Sequence, residues 1–301
     1  MLNLKTGKLK VRNFFYFLLI IVLVAVNNNC YEYLTNNQLK APQILFYRGV
    51  FTLILTIIYA HYRNQALMPK EIAAQSVRFI TTGGSLLLIL FSYNYLSAGT
   101  VSLLQRLDIP VLIFFSIFIT KRMQKMQTIL SILVIAIVLF LAIDPQLIDE
   151  DRNGFLLVFC GIAMVAIGYM TVHRGSNRES VPSLINVASV SSIFFGALLM
   201  IFYGHTLKVS LINMLLLILS SVINIMLFYL TIERYKVYTP EKALLPFVWA
   251  ILSTAVIEML LERSLYSLKE IFVTVGLTLL ITIICLIKPN KTLSTISNEN
   301  I

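Results

Sequence analysis

The sequence predicts an all-α membrane protein, with ten transmembrane helices in two inverted repeats of five. Three observations predict it. First, 58% of the 301 residues are hydrophobic and only 13% are charged, whereas a soluble domain carries roughly 25% charged residues. Charge this sparse cannot coat a water-facing surface, so much of the surface faces lipid. Second, the apolar residues fall in runs of nearly the roughly 20 residues that cross a bilayer. The runs are 14–34, 42–61, 76–95, 99–119, 127–143, 154–173, 183–203, 211–232, 240–261 and 270–287. Third, a polar, proline-containing segment of the fourth run recurs in the ninth.

The first run follows Lys5, Lys8, Lys10 and Arg12 and resembles a signal peptide. It ends in Asn27-Asn28-Asn29-Cys30 rather than in a small-residue cleavage site. It is therefore expected to stay as a span, preceded by a cytoplasmic segment, 1–13. The second run carries Phe46-Tyr47-Arg48, and the third contains Gly83-Gly84, a flexing or packing point. The breaks at 96–98 and 233–239 are short, so the helices flanking them nearly touch. Along the sixth run Gly154, Gly161 and Gly168 recur every seven residues. That puts them on one face, where a neighbouring helix can approach closely. The polar tail, 288–301, is cytoplasmic and disordered in this reading.

The net charge of +10 reads as a topology signal, because the basic residues cluster between apolar runs. With the N-terminus inside and the spans alternating, the inside holds the four basic residues above, Arg63, Lys70, Arg78, Lys121, Arg122, Lys125, Arg174, Arg178, Arg234, Lys236, Lys288 and Lys291. The outside holds only Lys40, Arg152, Lys208, Arg263 and Lys269. Both termini are thus placed in the cytoplasm, and the acidic loop at 144–153 outside. A missed or false helix would swap every later loop and erase this asymmetry. The membrane expected is the cell (inner) membrane.

Arg48, Arg106 and Lys242 are left within or at the start of apolar runs. An embedded charge costs at least a few kcal/mol and points to function. Leu104-Gln105-Arg106-Leu107-Asp108-Ile109-Pro110 aligns with Pro240-Glu241-Lys242-Ala243-Leu244-Leu245-Pro246 at a shift of 136 residues. The shift pairs Pro110 with Pro246, Arg106 with Lys242 and Gln105 with Glu241. It divides the chain into five-helix sets at 14–143 and 154–287. Five is odd, so the second set enters the membrane from the opposite side. The sets are then related by a two-fold axis in the membrane plane, as in many secondary transporters.

The chain resembles the drug/metabolite transporter superfamily in its ten-helix EamA-type branch. The resemblance covers nearly the whole chain. It rests on the five-plus-five layout, the short loops, Arg48 in the second span, and prolines in the fourth and ninth spans that each precede an apolar stretch. It implies alternating access around a central cavity, which the first and third helices help to line.

The proline spacing picks out candidate substrate-binding residues. A proline cannot donate to the carbonyl four residues back. For Pro110 that carbonyl is Arg106's, and for Pro246 it is Lys242's. Each site would join a loosened helix, a free acceptor and a cation, which suits an anionic or zwitterionic substrate such as an amino acid or nucleotide-like metabolite. The alternatives are a structural ion pair for Arg106 and a Lys242 that snorkels to the interface. Asp108 either cycles a proton during transport or forms a salt bridge with Arg48. Glu241 is a first-turn acid of the ninth helix. Gln105, Asn28 and Asn94 are polar candidates for the cavity, while Tyr31 and Tyr95 suit an interfacial belt. Tyr169, Tyr229 and Trp249 could stack on a planar substrate or serve as packing anchors.

Other functions lack their signatures. A membrane-embedded enzyme needs a catalytic cluster, yet His61, His173 and His205 are scattered at helix ends. A channel needs a filter or rings of charge. No nucleotide, nucleic-acid, metal or cofactor motif is present. Cys30, Cys160 and Cys285 fit neither a zinc site nor a disulfide framework, and are expected as small buried apolar residues. The partners expected are the lipid bilayer and a small-molecule substrate, taken up or exchanged by a chain working as a monomer. Proton-coupled export of drugs or toxic metabolites is the alternative.

Overall fold

The described parts of the apolar runs are helical, and several of these helices end in recognisable caps. The computed structural model describes residues 2–36, 39–92, 95, 104–105, 107–120, 125–142, 152–205, 207–260 and 268–287, with no strand among them. The helices are α1 (Leu2–Asn36), α2 (Ala41–Arg63), α3 (Ile72–Ser92), α4 (Asp108–Thr120), α5 (Lys125–Ala142), α6 (Arg152–Gly175), α7 (Val181–Tyr203), α8 (Leu211–Tyr235), α9 (Pro240–Leu260) and α10 (Leu268–Leu286). Ser180 and Ser210 cap α7 and α8 by accepting from the backbone N–H groups of Ser183 and Asn213 at 3.2 and 3.3 Å. These are donors that helix geometry leaves without partners. Gly204 ends α7 and Asn64 ends α2, both in the left-handed conformation. Among the described residues α1, α2, α3, α6, α7 and α8 contain spans long and apolar enough to cross a membrane. α5 and α10 carry shorter apolar stretches, Met126–Ile137 and Val275–Leu286.

Several boundaries differ from the sequence reading. α1 begins at Leu2, so the basic segment expected to precede the first span continues its helix. The helix that carries Pro110, α4, begins at Asp108 after a turn at Leu107. Pro110 therefore stands in a first turn, where a missing N–H costs nothing. Pro246 does stand inside α9. The two prolines thus do different work, and only Pro246 interrupts a helix. Arg78 and Arg234, counted as loop charges, are buried within α3 and α8.

The helices pack in a closed order. α3 lies on α6, α6 on α4, α4 on α9, α9 on α1, α1 on α8, α8 on α2, α2 on α7 and α7 back on α3. α5 and α10 pack on α4 and α9 and on each other. The α2–α7 crossing is the tightest. A methyl on Gly196 would stand 2.7 Å from the backbone N of Phe46, and one on Gly49 would stand 2.9 Å from the backbone N of Ile193. Backbone cannot yield as a side-chain tip can, so each helix needs glycine there. Gly161 and Gly168 face Ser85, Ile89 and Thr81 of α3, the close approach expected from their spacing. Exposed apolar side chains such as Ile54, Ile58, Ile80, Ile129, Phe194, Leu215 and Leu219 cover the outside of the helices.

At one end of the bundle the loop at 64–71 is fastened to the turn at 176–180. The Glu179 carboxylate, 8% exposed, accepts from the backbone N–H of Lys70 at 2.8 and 3.0 Å and of Glu71 at 2.7 Å, and from the Ser183 hydroxyl at 3.3 Å. It supplies the anion that the N-terminus of α3 favours. Asn186 donates to the Leu67 carbonyl at 3.1 Å and Ser180 donates to that of Ala66. Outside this node Arg178 and Glu71 form an exposed ion pair at 2.7 Å, which holds the Glu71 carboxyl below its ordinary range, chiefly through the Arg178 hydrogen bond. A lowered folded-state pKa contributes stability that is present above the ordinary carboxylate pKa and lost as pH falls through the lowered value. Glu71→Gln is accordingly expected to lower the unfolding temperature slightly at pH 7 and to converge with wild type as pH falls from 5 to 3 (about the range where carboxylates titrate), as read by a fluorescence melt. At the opposite end Tyr47 donates to the Leu207 carbonyl at 2.5 Å, and Leu34, Leu39, Ile44 and Leu217 form a small apolar cluster.

Candidate functional site

Among the described residues Arg48, Arg78 and Arg234 reach between helices, and their surroundings differ. Arg48 enters from α2. Its guanidinium donates to Asn224 Oδ1 of α8 at 3.0 Å and lies over the Tyr31 ring of α1 at 5.4 Å. Beside it Ser220 of α8 donates to Asn27 Oδ1 of α1 at 2.7 Å. These contacts join α1, α2 and α8. The expected salt bridge from Arg48 to Asp108 is not formed, because α2 lies against α7 and α8 while α4 sits on the far side of the ring.

Arg234 closes the end of α8. It donates to the carbonyls of Ala243 at 3.0 Å, Lys242 at 2.9 Å and Asn13 at 3.5 Å, and is flanked by the Phe17 and Tyr238 rings at 5.6 and 5.0 Å. The Lys242 carbonyl is the one that Pro246 deprives of its helical donor. The structure gives it to Arg234, so this acceptor is not free for substrate as the sequence suggested.

Arg78 is the most enclosed of the three, 1% exposed. It stands six residues beyond the start of α3, about 9 Å along the helix. One Nη donates to the Leu184 carbonyl of α7, and the guanidinium lies 5.8 Å from the Phe228 ring centroid of α8. A guanidinium has five N–H donors, and only that one bond is made among the described residues. The ion pairs among those residues are Arg178–Glu71 and Lys236–Glu233, so Arg78 has no carboxylate partner there. Around it are further polar groups without hydrogen-bond partners among the described residues: both amide atoms of Gln75, the Tyr235 hydroxyl and His173 Nδ1. Gln75 and Arg78 are three residues apart on α3 and share a face. His173 of α6 meets Tyr235 of α8 edge-on, with centroids 5.5 Å apart. Tyr235 and Arg78 lie within electrostatic reach of each other. α3, α6, α7 and α8 thus bring a cation and several open donors and acceptors to one dry place.

The residues chosen from sequence scatter around this place. Tyr169 packs against the main core, within electrostatic reach of Asp108 and Tyr235. Asp108 and Glu241 are first-turn acids of α4 and α9, and with Lys242 they lie within electrostatic reach of buried Cys285 of α10. The Asp108 carboxylate also accepts from the Ile109 N–H at 2.7 Å. Asn28 bridges α1 to α9 by donating to Thr254 at 3.3 Å. Gln105 is half-buried ahead of α4, and Trp249 packs on the core. Tyr229 does not join them. It is 37% exposed, near Tyr16, Tyr59 and Glu233. Its face of α8 turns away from the one holding Phe228 and Tyr235, so it is a surface anchor. Cys160 is exposed rather than buried. Arg106 and Asn94 lie outside the described residues. Sequence reasoning missed Arg78 as an embedded charge because its polar neighbours, Gln75-Ser76 and Thr81-Thr82, made the segment look like a helix approach.

No protein-family model matches the chain. No curated protein matches it either. A solved crystal structure, described only as that of a protein, shares the fold with a TM-score of 0.69 over 91% of this chain and 98% of that one, at 13% identity. At that identity the likeness concerns the fold alone.

Proposed function

We propose that the protein is a secondary transporter of the EamA-type branch of the drug/metabolite transporter superfamily, moving a small anionic or zwitterionic metabolite by alternating access. The observation that carries this reading is the packing pattern. Advancing every helix by five turns α3–α6 into α8–α1, α1–α9 into α6–α4, α3–α7 into α8–α2, and α4–α5 into α9–α10, all of them neighbours. The pairs α2–α7, α4–α9 and α5–α10 map onto themselves. Pro42 and Pro182 open α2 and α7 at matching positions. The slighter contacts α6–α8, α6–α9, α7–α8 and α8–α9 have no counterpart of comparable extent among the described residues, but the pattern of the larger ones is what a two-fold axis relating the halves requires. Each half contacts the other more than itself, which suits rocking about a shared interior.

The orientation proposed places both termini and the 64–71 loop in the cytoplasm. Arg63, Lys70, Arg174, Arg178 and Lys236 gather at that end, in line with the positive-inside rule. The ten-span count and the inner-membrane location belong to the same proposal. Arg106 and Lys242 remain the proposed cavity cations, with Asp108 as the proposed proton carrier if export is proton-coupled.

Purified protein in liposomes is expected to show saturable uptake or counterflow of a small metabolite. Arg106→Ala should reduce that flux at least tenfold (one lost charge-assisted contact is worth about that much) while the protein elutes and melts as wild type. Unchanged flux in that variant would remove Arg106 from the site.

A further inference from the structure

We infer that Arg78, Gln75 and Tyr235 form a binding site for a small soluble oxyanion, a carboxylate or a phosphate, deep between α3, α6, α7 and α8. The inference deepens the transport reading by naming the chemistry of the ligand. Binding itself stands on the geometry alone, and only the passage of the bound ligand across the membrane rests on the transport reading.

Arg78 is 1% exposed, Tyr235 is 2% and Gln75 is 3%. A guanidinium this far from water needs strong acceptors, because a buried charge is tolerated only when paired and hydrogen-bonded. The Leu184 carbonyl and the Phe228 ring occupy one edge and one face of it. Neither is an anion. The planar fork of the remaining N–H groups suits two oxygens of a carboxylate or phosphate. The Tyr235 hydroxyl and the Gln75 amide, both without partners among the described residues, supply neutral donors of the kind that complete oxyanion recognition. The phenyl ring of Phe228 gives the ligand an apolar wall.

The site is closed in this structure, and the closure is visible. Gly175 lies where the pieces meet: a methyl there would stand 3.2 Å from Leu184, 3.3 Å from the Gln75 amide nitrogen and 3.8 Å from Glu179 Cγ. Glu179, which fastens the 64–71 loop, thus shares this spot with the Leu184 side chain and the Gln75 amide. A ligand reaches the guanidinium when that fastening opens.

The test uses the full-length protein in detergent, so that no flux is required. Sodium phosphate, acetate and benzoate are titrated by calorimetry and thermal shift against acetamide and benzamide as neutral isosteres. A ligand that binds only the folded state raises its melting temperature. At least one oxyanion is expected to bind saturably while its neutral counterpart does not. Tyr235→Phe and Gln75→Met should each weaken it on the order of tenfold, and Arg78→Gln should abolish it. Arg78→Lys keeps the charge and loses the fork, so binding should fall without vanishing. If Arg78→Gln does not fold, the Tyr235 and Gln75 variants decide. Binding equal to wild type in both variants, or no response to any of the oxyanions, overturns the site. A response only to anionic phospholipid added to the micelles overturns the assignment to a small soluble anion. Flux without this binding would leave the transport reading standing and remove the site; binding without flux would do the reverse.

Discussion

Gly196→Leu is expected to prevent the protein from folding, or to lower its melting temperature by well over 10 °C, as measured by a thiol-reactive dye melt in detergent. Even a single methyl at this position meets the Phe46 backbone at 2.7 to 2.9 Å. Overpacking of an interior costs about 1–3 kcal/mol when side chains can shift, and here the obstacle is the main chain of the opposing helix. The α2–α7 pair is also one of those that map onto themselves about the proposed axis, so spreading it disturbs both halves. Gly196→Ala should give the same effect in weaker form. Gly204→Ala is the contrasting control: its φ of 62° strains any side chain, yet nothing lies within 4 Å of the added methyl. Its cost should be only the roughly 1 kcal/mol of a left-handed residue.

Glu179→Ala carries the second large effect. The carboxylate gathers the N–H groups of Lys70 and Glu71 and the hydroxyl of Ser183 at 2.7 to 3.3 Å. Its removal strands donors in a nearly dry place. Hydrogen bonds to a charged group contribute about 1.5–3 kcal/mol each, and water entering the opened loop recovers part of this, leaving a net loss of about 3 kcal/mol. Glu179→Gln keeps one carbonyl acceptor and should fall between wild type and alanine. Beyond stability, the alanine variant should expose the loop at 64–71 to limited proteolysis, because only the Asn186–Leu67 and Ser180–Ala66 bonds and the exposed Arg178–Glu71 pair then tie it to the 176–186 segment among the described residues. Wild-type resistance in that variant would show that Glu179 is not what fastens the loop.

The two nodes show why part of the molecule was legible in the sequence and part was not. Helices declare themselves through apolar length, and the glycine period of α6 announced its contact with α3, since Gly161 and Gly168 depend only on local spacing. Pro246 was likewise readable, as its effect is confined to one turn of α9. The use made of that turn was not, because the donor that satisfies Lys242's carbonyl comes from Arg234 at the end of the preceding helix. Arg78 and Glu179 were hidden for a stronger reason. Each acts on partners more than a hundred residues away, Leu184 in one case and Lys70 and Glu71 in the other. Without the packing of α3 against α6 and α7, Arg78 is one more basic residue near a helix start and Glu179 one more acid in a turn. The paired prolines misled in a different way: alike in sequence, Pro110 starts a helix and Pro246 interrupts one.

The central claim is that the interior around Arg78 faces the two sides of the membrane in turn. It is tested without knowledge of the substrate by placing a cysteine at Gln75 in a chain whose Cys30, Cys160 and Cys285 are replaced by alanine. A membrane-impermeant maleimide is then applied to either side of oriented vesicles, and labelling is followed by mass shift. Slow labelling from both sides is the expected result. Adding Glu179→Ala should speed labelling from the side bearing the 64–71 loop and slow it from the other. Labelling from one side alone, with the opposite side inert in both backgrounds, would contradict alternating access.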